Sequence, residues 1–270
     1  VQLASDKNSL LKFYSNCLII THFKASPLFN IAKKNNCLLL EHKEDIGGRY
    51  SIFSNVGMVP AIIAGLDAKE IHRGARHVIE NVHKDNLFKL GQLFKFQKKI
   101  NLTSSVIMTY SDALQYFGKW YLQLWAESIG KNKKGITAIH SIGTTDQHSQ
   151  LQLYLDGPKD KFFTFITTNH SNKGFIINKD IMNEEKVDYL VNKKMGDLMQ
   201  AEQQATLDTF GQNNIKFREI HIPIIDTYSI GSLMALSIIE TVAACVYFEV
   251  NPFNQPAVEQ GKKLTKQYLR

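Results

Sequence analysis

Short apolar runs alternate along this chain with longer segments of helical period, and that alternation constrains the fold more than any other feature. The runs are 17–22 (CLIITH), 37–41 (CLLLE), 105–109 (SVIMT), 161–166 (KFFTFI) and 217–222 (FREIHI). Short apolar, β-branched runs set between helical patterns are the signature of a parallel sheet flanked by helices. Helical patterns separate them, so the chain is predicted to be α/β, with parallel sheets flanked by helices.

The segment 26–36 (SPLFNIAKKNN) has Ser26 placed to cap a helix and Pro27 in its first turn. Residues 111–129 open on Ser111 and Asp112 and continue in helical period, and 186–210 reads as one long helix. The stretch 56–97 is expected to be mostly helical and to join two α/β units. From Tyr228 onward two helical patterns are parted by Asn251, Pro252 and Phe253, where proline stops the first. The expected organisation is therefore 1–92 as the back of one unit with connecting helices, 93–226 as a second unit, and 227–270 as a helical tail.

The run 229–248 (SIGSLMALSIIETVAACVYF) approaches the length of a bilayer span. Glu240 interrupts it and small residues are frequent in it, so it is expected to be a buried core helix. With 270 residues, 44% hydrophobic and 21% charged, the chain falls outside the disordered and fibrous classes. Its net charge of +7 raises the question of nucleic acid, but only five of its 32 basic residues are arginine (Arg49, Arg73, Arg76, Arg218 and Arg270), and the lysines are scattered. A nucleic-acid surface favours clustered arginine, so neither a nucleic-acid partner nor a membrane is expected. Cys17, Cys37 and Cys245 form no CxxC pair and leave an odd count, which supports neither a disulfide framework nor a zinc ribbon and fits a reducing cytoplasm.

No Walker A loop, GxGxxG, HExxH or GxSxG pattern occurs, which removes the usual support for nucleotide hydrolysis, dehydrogenation, zinc proteolysis and α/β-hydrolase chemistry. Four stretches carry candidate chemistry. In 45–57 (DIGGRYSIFSNVG), Gly47 and Gly48 would let backbone approach a ligand beside Arg49, or form a tight turn with a solvated arginine. In 122–135 (LQLWAESIGKNKKG), Gln123 and Glu127 share one helical face. A carboxylate set among Trp125, Ala126 and Ile129 suits a general base, or is an ordinary surface glutamate. In 141–158 (SIGTTDQHSQLQLYLDGP), His148 stands where a helix would start and serves either acid/base work or a polar cap. In 251–263 (NPFNQPAVEQGKK), a turn leads into a helix bearing Gln255, Glu259 and Lys262.

Taken together and in this order, the blocks 47–67 (GGRYSIFSNVGMVPAIIAGLD), 124–158 and 251–263 resemble the glucose-6-phosphate isomerase family, particularly its shorter bacterial form. The resemblance implies two sugar isomerase (SIS-type) lobes, the first incomplete here, and a cytoplasmic homodimer with shared active sites. It also implies reversible interconversion of glucose 6-phosphate and fructose 6-phosphate through an enediol, in glycolysis and gluconeogenesis, with no metal and no organic cofactor. It assigns the carbon base to Glu127, enediolate stabilisation to Arg49, ring opening to His148 from the partner subunit with help from Lys262, and substrate contacts to Gln123, Gln255 and Gly48. Asn254 and Ala257 depart from the family's usual Asp and Gly. The family's Gly-rich and Ser/Thr-rich phosphate loops are expected upstream of Val1, which makes the chain read as a piece of a longer protein, inactive on its own. The competing reading is a catalytically silent sugar-phosphate-binding protein of the same fold, against which Glu127, Arg49, His148 and Lys262 occurring together argue.

Overall fold

The structure, a computed structural model, describes residues 12–82, 102–179 and 185–270. The chain divides into two compact units, Val1–His72 and Arg73–Arg270. The expected boundary at residue 92, and the part of the 56–97 connection beyond residue 82, lie outside the described residues.

In the first unit, strand β1 (Leu18–Thr21), helix α1 (Pro27–Lys34) and strand β2 (Leu38–Glu41) make a parallel crossover, with Leu18 opposite Leu38 and Thr21 opposite Glu41. Helix α1 starts as its sequence predicts. Ser26 is extended, its hydroxyl accepts from Phe29 N at 3.2 Å, and Pro27 follows in the first turn, where a missing N–H costs nothing. Ala32 on α1 is fully buried. A 3₁₀ turn (Gly48–Phe53) and helix α2 (Asn55–Ile63) follow, and helix α3 (Ala68–Asn81) runs on into the second unit.

The second unit is built on a four-stranded, all-parallel sheet. Its strands are β3 (Ser104–Thr109), β4 (Thr137–Ile142), β5 (Lys161–Thr167) and β6 (Phe217–His221), in the spatial order β4-β3-β5-β6. The helices are α4 (Gln115–Ile129), α5 (Thr145–Asp156), α6 (Met195–Gln212), α7 (Thr227–Phe248) and α8 (Glu259–Tyr268). Alternation along each strand divides the core between two faces. Ile107 and Ile166 pack with Phe117, Tyr121, Trp125 and Leu233 of α4 and α7. Val106, Met108, Phe163 and Phe165 pack on the other face with Tyr154, Leu207 and Phe210 of α5 and α6.

Two sequence expectations need correction. Residues 137–142 (TAIHSI), not among the expected strands, form edge strand β4. The expected helix 186–210 is two pieces, a 3₁₀ segment (Glu185–Leu190) and α6, which starts only at Met195. The break lies at Asn192, with φ of 62°, and at the extended Lys194. Asp197 then fixes the new start, its carboxylate accepting from Lys194 N at 2.9 Å and from Asn172 N at 2.8 Å.

The apolar run 229–248 lies within α7. By length and composition α7 is able to cross a membrane, yet it packs against α4 and the sheet. Glu240, 7% exposed, accepts two hydrogen bonds of 2.7 Å from Arg218 on β6, whose Nε donates to Thr164 Oγ1 at 3.0 Å. A buried carboxylate paired in this way marks α7 as the core helix of an α/β unit.

Candidate active site

Arg49 lies in the 3₁₀ turn of the first unit and is 2% exposed, its guanidinium carbon 5.1 Å from the centre of the Tyr50 ring. Local bonds set the turn: Ser51 Oγ donates to Gly48 O at 2.7 Å, and Ser54 Oγ donates to Ser51 O at 2.7 Å while accepting from Val56 N at 3.3 Å. Gly57 is fixed by close approach, since a Cβ there would lie 1.9 Å from Ile52 O. Gly48 has open space beside its Cα, which is compatible with a ligand approaching backbone.

In the second unit the last turn of α4 carries Glu127, half-buried beside the buried Trp125 and Ile129. Gln123, one turn earlier, donates Nε2 to Glu127 Oε1 at 3.1 Å, as the shared face predicts. Trp125 Nε1 donates to Ile136 O at 2.8 Å and ties this turn to the approach to β4. The helix end is closed by Lys131, whose Nζ donates to the carbonyls of Glu127 at 2.8 Å and Ser128 at 2.5 Å. A cation at this position satisfies carbonyls that the helix leaves open and complements its dipole. Asn132 and Lys133 then both take positive φ, 54° and 59°, which turns the chain back so that Lys131 bridges Lys134.

Glu127 opens onto a cavity of about 470 Å³. Its walls are the end of α4 and the 251–258 turn, and Gln255 and Lys131 line it with Glu127. The structure thus brings Gln123, Glu127 and Gln255 together. Asn254 and Ala257 line the same cavity. Lys131 is the site residue that sequence reasoning passed over; a lysine just beyond the last helical residue is the signal that finds it.

His148 and Lys262 stand apart from this cavity. His148 is exposed in the first turn of α5, a helix start held by Asp146, whose Oδ2 accepts from Ile142 N at 2.7 Å. Next to it, Gln147 Oε1 accepts from Tyr110 OH at 2.7 Å, and burial pushes the Tyr110 phenol up to about 12, so that it remains a donor. Lys262 is exposed on α8 and pairs with Glu259 at 2.7 Å. Among the described residues no cluster of three or more His, Cys, Asp or Glu side chains forms a metal site.

The family model for phosphoglucose isomerase matches residues 19–270. The chain belongs to the phosphoglucose isomerase family. Among family members, it is 34% identical over 257 residues to a probable glucose-6-phosphate isomerase of Methanococcus maripaludis, covering 93% of this chain and 57% of that protein. It is 35% identical over 238 residues to the glucose-6-phosphate isomerase of Methanocaldococcus jannaschii, covering 86% and 58%. The chain therefore spans somewhat under three-fifths of the length of these relatives. In fold it is similar to a hypothetical protein from Thermus thermophilus, with a TM-score of 0.88 at 27% identity over 99% of this chain and 69% of that one. A glucose-6-phosphate isomerase from Chlamydia trachomatis shares the fold with a TM-score of 0.73 at 19% identity, covering 95% and 53%.

Proposed function

We propose that the protein to which this chain belongs interconverts glucose 6-phosphate and fructose 6-phosphate through an enediol, with Glu127 as the carbon base. The observation that carries this reading is the half-buried Glu127 opening, with Gln255, onto a cavity at the end of α4, in a chain of the phosphoglucose isomerase family. A proton alpha to a carbonyl is weakly acidic, so the reaction needs a positioned base, a group that stabilises the enediolate, and acid/base help to open the hemiacetal ring.

In this reading the Glu127 carboxylate takes the proton from C2 of the aldose and returns it to C1, while O1 gains a proton and O2 loses one. Gln123 Nε2 holds one carboxylate oxygen and so orients the carboxylate. Arg49, a cation kept out of water in its own unit, stabilises the charge on the enediolate. His148, exposed on its helix, reaches the site of a partner subunit in a homodimer and opens the ring with the assistance of Lys262. Gln255 and Gly48 contact the sugar phosphate. The chemistry calls for no metal and no organic cofactor.

The same reading takes the two parallel sheets as two sugar isomerase lobes, assigned to 1–92 and 93–226 with 227–270 completing the site, in a cytoplasmic protein without nucleic-acid or membrane partners. The test is incubation of the complete natural polypeptide with fructose 6-phosphate in deuterated water. Formation of glucose 6-phosphate with deuterium at C2 is expected. Absence of conversion contradicts the function, and conversion without any solvent deuterium contradicts a base that exchanges its proton.

A further inference from the structure

The described cysteines include two that the fold brings side by side. Cys17 immediately precedes β1 and Cys37 immediately precedes β2. The parallel ladder starts one residue later with Leu18 opposite Leu38, and Leu38 N donates to Cys17 O at 3.1 Å. The two cysteines are therefore the positions one step before the first ladder pair. Neighbouring strands lie about 4.8 Å apart, within the Cα separation of about 4.4 to 6.8 Å that a disulfide spans. Side chains at equivalent steps of adjacent strands point to the same face. Leu18 and Leu38 are exposed, at 37% and 61%, while Cys37 on the alternate step is 8% exposed and Cys17 is half-buried. Both thiols are free, and Cys17 Sγ donates to Phe13 O at 3.3 Å.

We propose that Cys17 and Cys37 are a redox-active dithiol, a modification site at which a peroxide joins β1 to β2 through a reversible disulfide. The more accessible sulfur, Cys17, attacks hydrogen peroxide; its S–O bond forms as the O–O bond breaks, giving a sulfenic acid and one water. The Cys37 thiolate then attacks the Cys17 sulfur, forming the S–S bond and releasing the oxygen as a second water. Two thiols lose two electrons and the peroxide gains them. The bond closes a loop containing α1 at the strand ends opposite those that lead to the Arg49 turn. The inference is independent of the isomerase reading and stands on the first unit alone.

The test exposes the purified protein to hydrogen peroxide, counts thiols after denaturation, and maps the tryptic peptides. The expected count falls from three to one. Peptides 13–24 (FYSNCLIITHFK) and 35–43 (NNCLLLEHK) appear linked and two hydrogens lighter, dithiothreitol restores all three thiols, and Cys17 reacts about tenfold faster than Cys245. In C37S, dimedone traps a sulfenic acid at Cys17. Three surviving thiols, a bridge to Cys245, or no dimedone adduct in C37S would each overturn the proposal.

Discussion

Gln123 Nε2 donates to Glu127 Oε1 across 3.1 Å, one helical turn apart on the last stretch of α4. The bond fixes one carboxylate oxygen and so sets which way the other points, a matter of orientation that catalysis by a carboxylate depends on. Gln123→Ala removes one hydrogen bond to a charged group on an exposed edge. We expect a fall of about tenfold in kcat, near the lower end of what such bonds contribute. KM should change less than kcat. Steady-state kinetics with fructose 6-phosphate check this, and an unchanged kcat would remove Gln123 from any orienting role.

Arg218 and Glu240 hold β6 to α7 by two parallel hydrogen bonds of 2.7 Å. Removing one partner of a buried pair leaves the other without compensation, so Glu240→Ala is expected to destabilise the fold by about 3 kcal/mol. Replacing both, as Arg218→Met with Glu240→Met, should recover most of that loss because no uncompensated charge remains. Urea denaturation of the two variants and the wild type decides the matter. A single variant as stable as the double one would show that the pair is not coupled.

Sequence and structure agree where the signal is local. The Ser26 cap, the Pro27 start and the shared face of Gln123 and Glu127 follow from neighbours in sequence, and each is present in the fold. Edge strand β4 was not legible because its polar residues look wrong for a strand until their partners are known. His140 Nε2 lies 3.1 Å from Thr109 Oγ1, and Ser141 Oγ donates to Gln150 Oε1 at 3.1 Å. The late start of α6 depends likewise on Asn172, more than twenty residues upstream of Asp197. At the site, the proximity of Gln255 to Glu127 depends on how the chain returns after α7, which no local pattern encodes. The ladder register that sets Leu18 opposite Leu38, one step after Cys17 and Cys37, is invisible to residue spacing for the same reason.

His140 supplies a pH dependence. Burial holds its imidazole below the ordinary histidine range, with Asp146 opposing and Lys119 adding to the shift. On α4, Gly118 leaves the room its ring occupies, since a Cβ there would lie 2.2 Å from it. Between the folded value and the unfolded value of about 6.5, the unfolded chain binds more protons than the folded one. Stability is therefore full above that range and falls as pH drops through it. Urea midpoints compared at about pH 7.5 and about pH 5.5 should show the decline, and His140→Asn should reduce it, leaving the similar contribution of His170. An identical decline in His140→Asn would contradict this origin.

The central claim is that Glu127 moves the carbon-bound proton, and the most direct measurement compares Glu127→Gln with wild type in the complete natural polypeptide. The substitution keeps size and hydrogen bonding but removes the base, whose contribution to such reactions is on the order of a hundredfold to ten-thousandfold. Coupled turnover of fructose 6-phosphate and calorimetric binding of the same ligand are read on both proteins. The account predicts turnover lower by about a thousandfold with binding within a few-fold of wild type. Turnover close to wild type would contradict it.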